Sequence, residues 1–544
     1  MFALEQALAY LKSLFSGFLA LFVSISNFFG WYADVGGVHG LRTDYAYTFA
    51  YSTEKIQPED ILGKKDTIRV LMGKNEREGF QFVARLRYSN QVNYVLQLSD
   101  ITGPGGATIP AAIYKECYTY AGPPVQSGDF PDALIPYTGK ADVLARRVNQ
   151  GFYFELRTGE DTPAGLYTGT VALRRWENVG PYQWDVGETL VEAPFRVEVA
   201  NVTFPTVAYD DTAVGLGGDP SFFRLNGMDP WAAEDAGARH ALYKQYYDYL
   251  LDHKLNAYQI PYDVTDPRAD AYMDDPRVKH FFLHFFGDDA LLGEWYQKVQ
   301  SKPEWASKHC FYPIDEPGSA EAIASYYAIT DRLAQLCPGY HMVTPLNFWK
   351  FTDGREYDNL AIQNGRSDII CPISSLYDEP GFPEAVRARV AANGDRAWWY
   401  VCCGPTGDYC NMFVHQQGTR HRLLFWQQYQ LGLTGLLYWQ TTYWEKANPW
   451  LSSATWDSYE SAGDGCWFYP GKPLGLDEPI PTLRLKNIAD GLEDYDLLRM
   501  AEEVYGRAWV LERAAKLSAS LTQYTGDPAR LESVREEILR ALAA

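Results

Sequence analysis

Several signatures of common chemistries are missing from this 544-residue chain. There is no HExxH, and the nine His show no paired spacing, so a zinc-peptidase centre has no sequence basis. No GxSxG occurs, which removes the serine-hydrolase elbow, and no GxGxxG or GxxxxGK[ST] follows an apolar run, which disfavours a nucleotide-binding fold. The eight Cys form no pair of CxxC motifs, and apart from the neighbours Cys402 and Cys403 they are scattered singly. Neither a disulfide framework nor a zinc site is expected from that spacing, and most thiols read as buried and free. Positive charge is also short: 69 acidic against 48 basic residues leave a net charge of −21, which repels phosphate backbones and excludes nucleic acid as a partner. No metal or cofactor is expected.

What the chain has in quantity is aromatic surface, 15% of residues, with 39 Tyr and 16 Trp. Such side chains present a flat apolar face with a polar edge, suited either to core packing or to stacking on sugar rings. Between Ser13 and Ala33 no charged residue occurs. That stretch (within a hydrophobic segment 1–36) reads as an export signal, a membrane anchor or an amphipathic helix. The first two imply a secreted or cell-surface protein with possible membrane association through residues 13–33, the third a cytoplasmic one.

Residues 37–204 read as strands and turns. TIRVLMG, GFQFVARLRY, GFYFELRTG and APFRVEVANV are short, rich in β-branched and aromatic residues, and separated by Gly/Pro turns such as ITGPGGATIP. A β-sandwich is expected there. From 205 to 483 apolar runs (LNAYQIP, CFYPIDEP, HMVTPLN, SDIICPIS, AWWYVCCGP, GLLYWQTTYW) alternate with amphipathic stretches such as AEAIASYYAITDRLAQL. Near-continuous apolar strands separated by helices imply a parallel sheet covered on both faces. Six such units in about 280 residues leave room for eight, so a (β/α)8 TIM-type barrel is expected. Residues 484–544 read as C-terminal helices. The expected whole is a multi-domain α/β protein.

In such a barrel the chemistry sits where the strands end. The polar residues closing the apolar runs are Tyr262, the adjacent Asp315 and Glu316, Asn347, Tyr377, Tyr400, Trp439 and Trp444, with Asn411 in a following loop. Two carboxylates brought close repel one another, so one keeps its proton while the other stays charged, the division of labour of glycoside cleavage. An Asp-Glu pair opening a helix is the competing reading. Tyr262, Asn347, Tyr377, Tyr400, Asn411, Trp439 and Trp444 are candidate glycan-binding residues, or equally core and loop-capping ones. Trp398 and Trp399 read as packing, and His253 as a structural histidine.

YPIDEPG resembles a segment of glycoside hydrolase family 123. NEREGFQFVARL, FPDALIP, DTPAGLYTGTVAL, AWWYVCCGPTGDYCN, GDGCWFYPG and LRLKNIADGLEDYDLL are similar to its other segments, in order, over about residues 65 to 500. The resemblance implies a β-N-acetylgalactosaminidase-type hydrolase acting on a glycan or oligosaccharide, retaining configuration by substrate-assisted catalysis through an oxazolinium intermediate. It implies that Asp315 orients the acetamido group and stays ionised, and that Glu316 is the acid/base. A hydrolase for a non-acetamido glycan and a non-catalytic carbohydrate-binding surface protein are the alternatives. Arg484, Glu493, Asp494 and Tyr495 match the family's tail segment, but their composition fits a buried ion-pair network better than catalysis.

Overall fold

The computed structural model describes residues 44–284, 287–445 and 448–544. The expected signal, anchor or amphipathic helix at 13–33 lies outside the described residues. No described helix is long and apolar enough to cross a membrane.

Two antiparallel-rich sheets form the N-terminal β unit. One runs, in spatial order, Tyr45–Tyr51, Arg77–Leu86, Asn149–Arg157, Ala111–Ala121 and Gly128–Pro136. The other is built around the long hairpin Gly165–Gly180 and Gln183–Thr203. Alternation explains why they stack. Along 191–199 Val191, Ala193, Phe195, Val197 and Val199 are buried, while Glu192, Pro194 and Arg196 face out. Phe80 and Phe82 pair in register with Phe154 and Phe152 on the neighbouring strand, and the rings of Phe80 and Phe154 stack at 4.9 Å. Each buried Phe contributes about 1.5–3 kcal/mol of apolar transfer, which makes this aromatic seam the main glue of the unit.

The second half is mixed α/β and carries a curled parallel sheet. Five strands run in the order Asp211–Val214, Gly435–Tyr438, Arg396–Tyr400, Ile369–Pro372 and Val343–Leu346. Phe281–Leu283 and His309–Phe311 form a separate parallel pair. Isolated parallel bridges, Val214 to Ala257 and Phe311 to Met342, lie at the two ends of this set. In place of the expected eight strands of one barrel, the described residues form this five-stranded curled sheet and the separate pair, and the run LNAYQIP contributes a single bridge at Ala257 rather than a strand. Pro261, which lacks a donor N–H, stands only four residues on.

Helices alternate with these strands for readable reasons. Ala320–Leu336 starts where the Ser319 hydroxyl accepts from the Ala322 N–H at 3.1 Å, with Glu321 in the first turn. It buries Ile323, Tyr326, Thr330 and Leu333, a 3–4 spacing that makes one inward face. Gly418–Leu431 stops at Gly432, whose φ of 78° is the left-handed cap conformation Gly adopts without strain.

Leu483–Tyr505 is buried from its first residue to Leu498 and packs on Gly418–Leu431 and on the β unit. Its polar residues meet partners from both halves. Arg484 forms a two-pronged pair with Asp132 at 2.7 and 2.9 Å. Asp494 accepts from Arg422 at 2.7 Å and from Arg535 at 3.0 Å, and the same two guanidiniums reach Glu78 and Glu76 of the β unit. The Tyr495 hydroxyl donates to the Leu433 carbonyl at 2.8 Å, and Glu493 accepts from the Arg77 N–H. His253 is enclosed beside Glu155 and Lys486, and Trp398 and Trp399 are fully buried.

Candidate active site

The strand His309–Phe311 ends at Tyr312-Pro313, and Pro317 follows the carboxylate pair, so no ladder runs through residues 313–317. A regular strand would send Asp315 and Glu316 to opposite sides. Here Glu316 has φ of 40°, in the left-handed region that a non-Gly residue occupies at a cost of about 1–3 kcal/mol. The kink turns the peptide so that Asp315 and Glu316 each meet partners from the parallel-strand ends.

Those partners are neutral. The Tyr312 hydroxyl donates to Asp315 Oδ1 at 2.7 Å. Asn347, at the end of Val343–Leu346, donates its amide to Glu316 Oε2 at 2.7 Å, and the Tyr400 hydroxyl, at the end of Arg396–Tyr400, donates to Glu316 Oε1. Burial pushes the Glu316 carboxyl above the usual carboxylate range, and the charge of Asp315 pushes the same way while the Tyr400 hydrogen bond pulls it back. The result is a half-buried carboxyl that keeps its proton longer than a free one, beside an exposed carboxylate. That is the arrangement of an acid with a neighbouring anion.

An aromatic wall stands at the end of Gly435–Tyr438. Trp439 packs on Tyr443 at 4.9 Å and on Trp456 at 5.5 Å between ring centres, and Trp456 is 41% exposed. One buried carboxylate organises it. Asp464 accepts from the Tyr438 hydroxyl at 2.9 Å and from the indole N–H groups of Trp439 and Trp456 at 3.1 and 3.0 Å. Gly463 and Gly465 flank it with φ of 79° and 73°. A Cβ at Gly465 would lie 2.5 Å from the Trp439 ring, so GDG is required both by its turn and by close approach. Between wall and carboxylates lie Cys402 and Cys403, their sulfurs 3.9 Å apart; Cys403 is exposed and feels the charges of both Glu316 and Asp464.

The candidate residues thus separate. Asp315, Glu316, Asn347 and Tyr400 come together, and Trp439 heads the aromatic wall. Tyr377 is buried against Phe382 and Trp399, and Trp444 is 2% exposed with its indole N–H on the Phe468 carbonyl at 3.1 Å. Both are core residues, because the chain turns inward after their strands. Asn411 is enclosed and donates to the Cys402 and Pro405 carbonyls at 3.1 and 3.0 Å, so its amide holds the loop. Tyr262 lies elsewhere, between His240 and Arg268 on the wall of a separate crevice. Tyr312 and Asp464 were not among the candidates. Tyr312 could have been found as the hydroxyl nearest the pair in FYPIDEP, whereas Asp464 lies 149 positions after Asp315, in GDGCW, with nothing local to mark its partners.

A carboxyl pushed above its usual range next to an exposed carboxylate, with exposed aromatic surface at a neighbouring strand end, is an arrangement suited to glycoside cleavage. Residues 247–501, a little under half of the chain, match the family model described as glycoside hydrolase 123, catalytic domain. A solved family 123 glycoside hydrolase from Clostridium perfringens, described in terms of glycolipid glycan hydrolysis, shares the fold: TM-score 0.67 at 13% identity, covering 92% of this chain and 99% of that one. The N-terminal domain of PorA (9% identity, 28% of this chain and 97% of that one, TM-score 0.17) overlaps too little to carry an argument. No curated protein matches the chain.

Proposed function

We propose that this glycosidase releases a terminal β-linked N-acetylgalactosamine, or a related 2-acetamido sugar, with retention of configuration and with the substrate's own acetamido oxygen as nucleophile. The observation that carries the reading is the carboxyl pair: Glu316, pushed above the usual carboxylate range by burial and by Asp315, accepts from two neutral donors next to an exposed Asp315. Glu316 gives its proton to the glycosidic oxygen as the C1–O bond breaks, while the acetamido carbonyl oxygen bonds to C1 and forms an oxazolinium. Asp315 accepts from the acetamido N–H and balances the positive charge, and Tyr312 keeps it oriented. Glu316, now ionised, takes a proton from water, whose oxygen bonds to C1 and reopens the ring. Because the nucleophile belongs to the sugar, the Asp315–Glu316 spacing does not follow the separation rule for two-carboxylate glycosidases. Trp439 supplies a flat face for the sugar.

The same reading takes the curled sheet as a closed (β/α)8 ring. Its support is the pairing of Asp211–Val214 with Gly435–Tyr438 at one side, and the Ala257 and Met342 bridges with the Phe282 N–H to Tyr258 carbonyl bond at the other. We take residues 37–204 as an ancillary β-sandwich and 205–483 as the catalytic unit, which the helix from Leu483 closes. The substrate class we favour is a glycan, including the glycolipid glycans named for the Clostridium protein, reached by a secreted or surface-held enzyme.

The test is turnover of a β-linked aryl N-acetylgalactosaminide together with inhibition by an N-acetyl thiazoline mimic of the oxazolinium. Release of the sugar with thiazoline inhibition is expected. Activity on a sugar without an acetamido group, insensitive to thiazoline, would overturn the substrate-assisted mechanism and leave a glycosidase of other specificity. Binding of glycans without turnover of any would overturn the hydrolase.

A further inference from the structure

A sizeable cavity lies away from the carboxyl pair. It is a crevice of about 930 Å³ where the β unit meets the catalytic half, between Tyr114 on one side and the helix Ala236–Asp252 with residues 268–277 on the other. That volume is of ligand size, and junctions between structural units are preferred ligand sites. Its lining combines rings with ionic groups of both signs, most of them already paired, while the exposed Glu478 stands at one edge. Lys244 pairs with Asp248, and Asp248 also accepts from the Tyr272 hydroxyl at 2.9 Å. Arg277 clasps Asp275 through two nitrogens at 3.1 and 2.7 Å. Arg268 does the same with Asp266 and lies 4.4 Å over the ring of Tyr262. Tyr249 is backed on one face by His253, stacked at 4.3 Å, and its hydroxyl is held by Lys486 at 2.6 Å.

Such a wall has little net charge to offer. A phosphate would have to displace Asp248 or Asp275 from its cation, and a cationic ligand would meet Arg277 and Lys244. A neutral polyol fits: its hydroxyls donate to spare carboxylate lone pairs and accept from spare guanidinium N–H groups, without breaking the pairs, while its apolar ring face covers a Tyr ring. We propose that this crevice is a non-catalytic binding site for a neutral oligosaccharide, separate from the mouth holding Glu316. Tyr262 belongs to it and also lines a smaller cavity of about 280 Å³ with Phe282, His284 and Trp295 at the strand ends. A chain in the crevice is therefore led toward the strand-end face. The proposal deepens the glycan reading above but does not depend on turnover.

The experiment measures binding of a neutral β-linked N-acetylhexosamine tetrasaccharide by calorimetry to the full chain carrying Glu316→Gln, so that nothing is consumed. Ala271, exposed on the crevice wall, is replaced in that background as Ala271→Trp to fill the space from outside, with a thermal melt to verify the fold. A second variant, Arg277→Ala, removes donors without adding bulk. Two sites are expected for Glu316→Gln alone, and one after Ala271→Trp, with about tenfold weaker crevice binding in Arg277→Ala. One site at first and none after Ala271→Trp would support the crevice while counting against a sugar-binding mouth. Unchanged stoichiometry and affinity in both folded variants, or no binding at all, would overturn the proposal, whereas failure of aryl-glycoside turnover touches only the proposed hydrolysis.

Discussion

Two sets of carboxylates in this protein are handled in opposite ways. At the junction of the halves, Asp494, Glu78 and Glu76 are buried and meet the guanidiniums of Arg422 and Arg535 directly. At the strand ends, Asp315 and Glu316 meet only hydroxyl and amide donors from Tyr312, Tyr400 and Asn347. A guanidinium locks a carboxylate in its ionised form, because the proton would have to displace a full positive charge. Neutral donors orient the group and still let it exchange a proton. The first arrangement suits an interface that must not change state, the second a group that must.

The sharpest break between the two sets is expected at Glu316. Glu316→Gln keeps size and hydrogen bonding but removes the transferable proton, so kcat on a substrate with a poor leaving group should fall by about 10²–10⁴-fold, with an unaltered melting temperature. Steady-state kinetics on activated and unactivated substrates measures this, and an undiminished rate on the unactivated one rules Glu316 out as the acid. Arg422→Met should do the reverse. It leaves Asp494 and Glu78 buried without that cation, which costs about 3–5 kcal/mol of stability by denaturant titration, while the kcat of the protein that remains folded is retained.

A smaller effect sharpens the comparison. The Tyr400 hydroxyl draws the Glu316 pKa down, so Tyr400→Phe should raise it further. Glu316 acts as an acid while protonated, so activity is lost as pH rises through its pKa. The alkaline limb of the kcat/KM profile should therefore move to higher pH in Tyr400→Phe; a limb that stays in place would detach Tyr400 from the acid. Glu116 should give the least. It is buried in the β unit with neither oxygen hydrogen-bonded, and burial pushes it up to about 8. Its folded pKa lies above the unfolded one, so its contribution is complete below the ordinary Glu range and is lost as pH rises toward about 8. Glu116→Gln should flatten that part of the stability–pH curve, as read by melting temperature across pH 4 to 9.

Local rules made much of this legible. Period-two alternation along 191–199 marked a strand with one wet face, and the 3–4 spacing of Ile323, Tyr326, Thr330 and Leu333 marked a helix. Asp315 and Glu316 stood out because Pro317 ends any ladder behind an apolar run. Tyr377 and Trp444, which the structure buries, follow their apolar runs by the same rule, and Asn411 lies in the loop after another. Whether such a side chain faces the mouth or the core depends on how the following loop folds back, and that loop is held by contacts far along the chain, as Trp444 is by Phe468.

The sequence by itself determined the strand-rich character of the first part, the parallel α/β character of the second and the place of the Asp315-Glu316 pair behind an apolar run, because each follows from spacing within a few residues. Only the tertiary structure decided which neighbours complete the site. Tyr400 reaches Glu316 across 84 positions, and Asp494 meets Arg422 across 72. Hydrogen bonds and ion pairs depend on distance in space, and at such separations the spacing of residues along the chain carries no record of it. The Asp-Glu pair could thus be read from its surroundings in the chain; that its partners are neutral while those of Asp494 are charged could not.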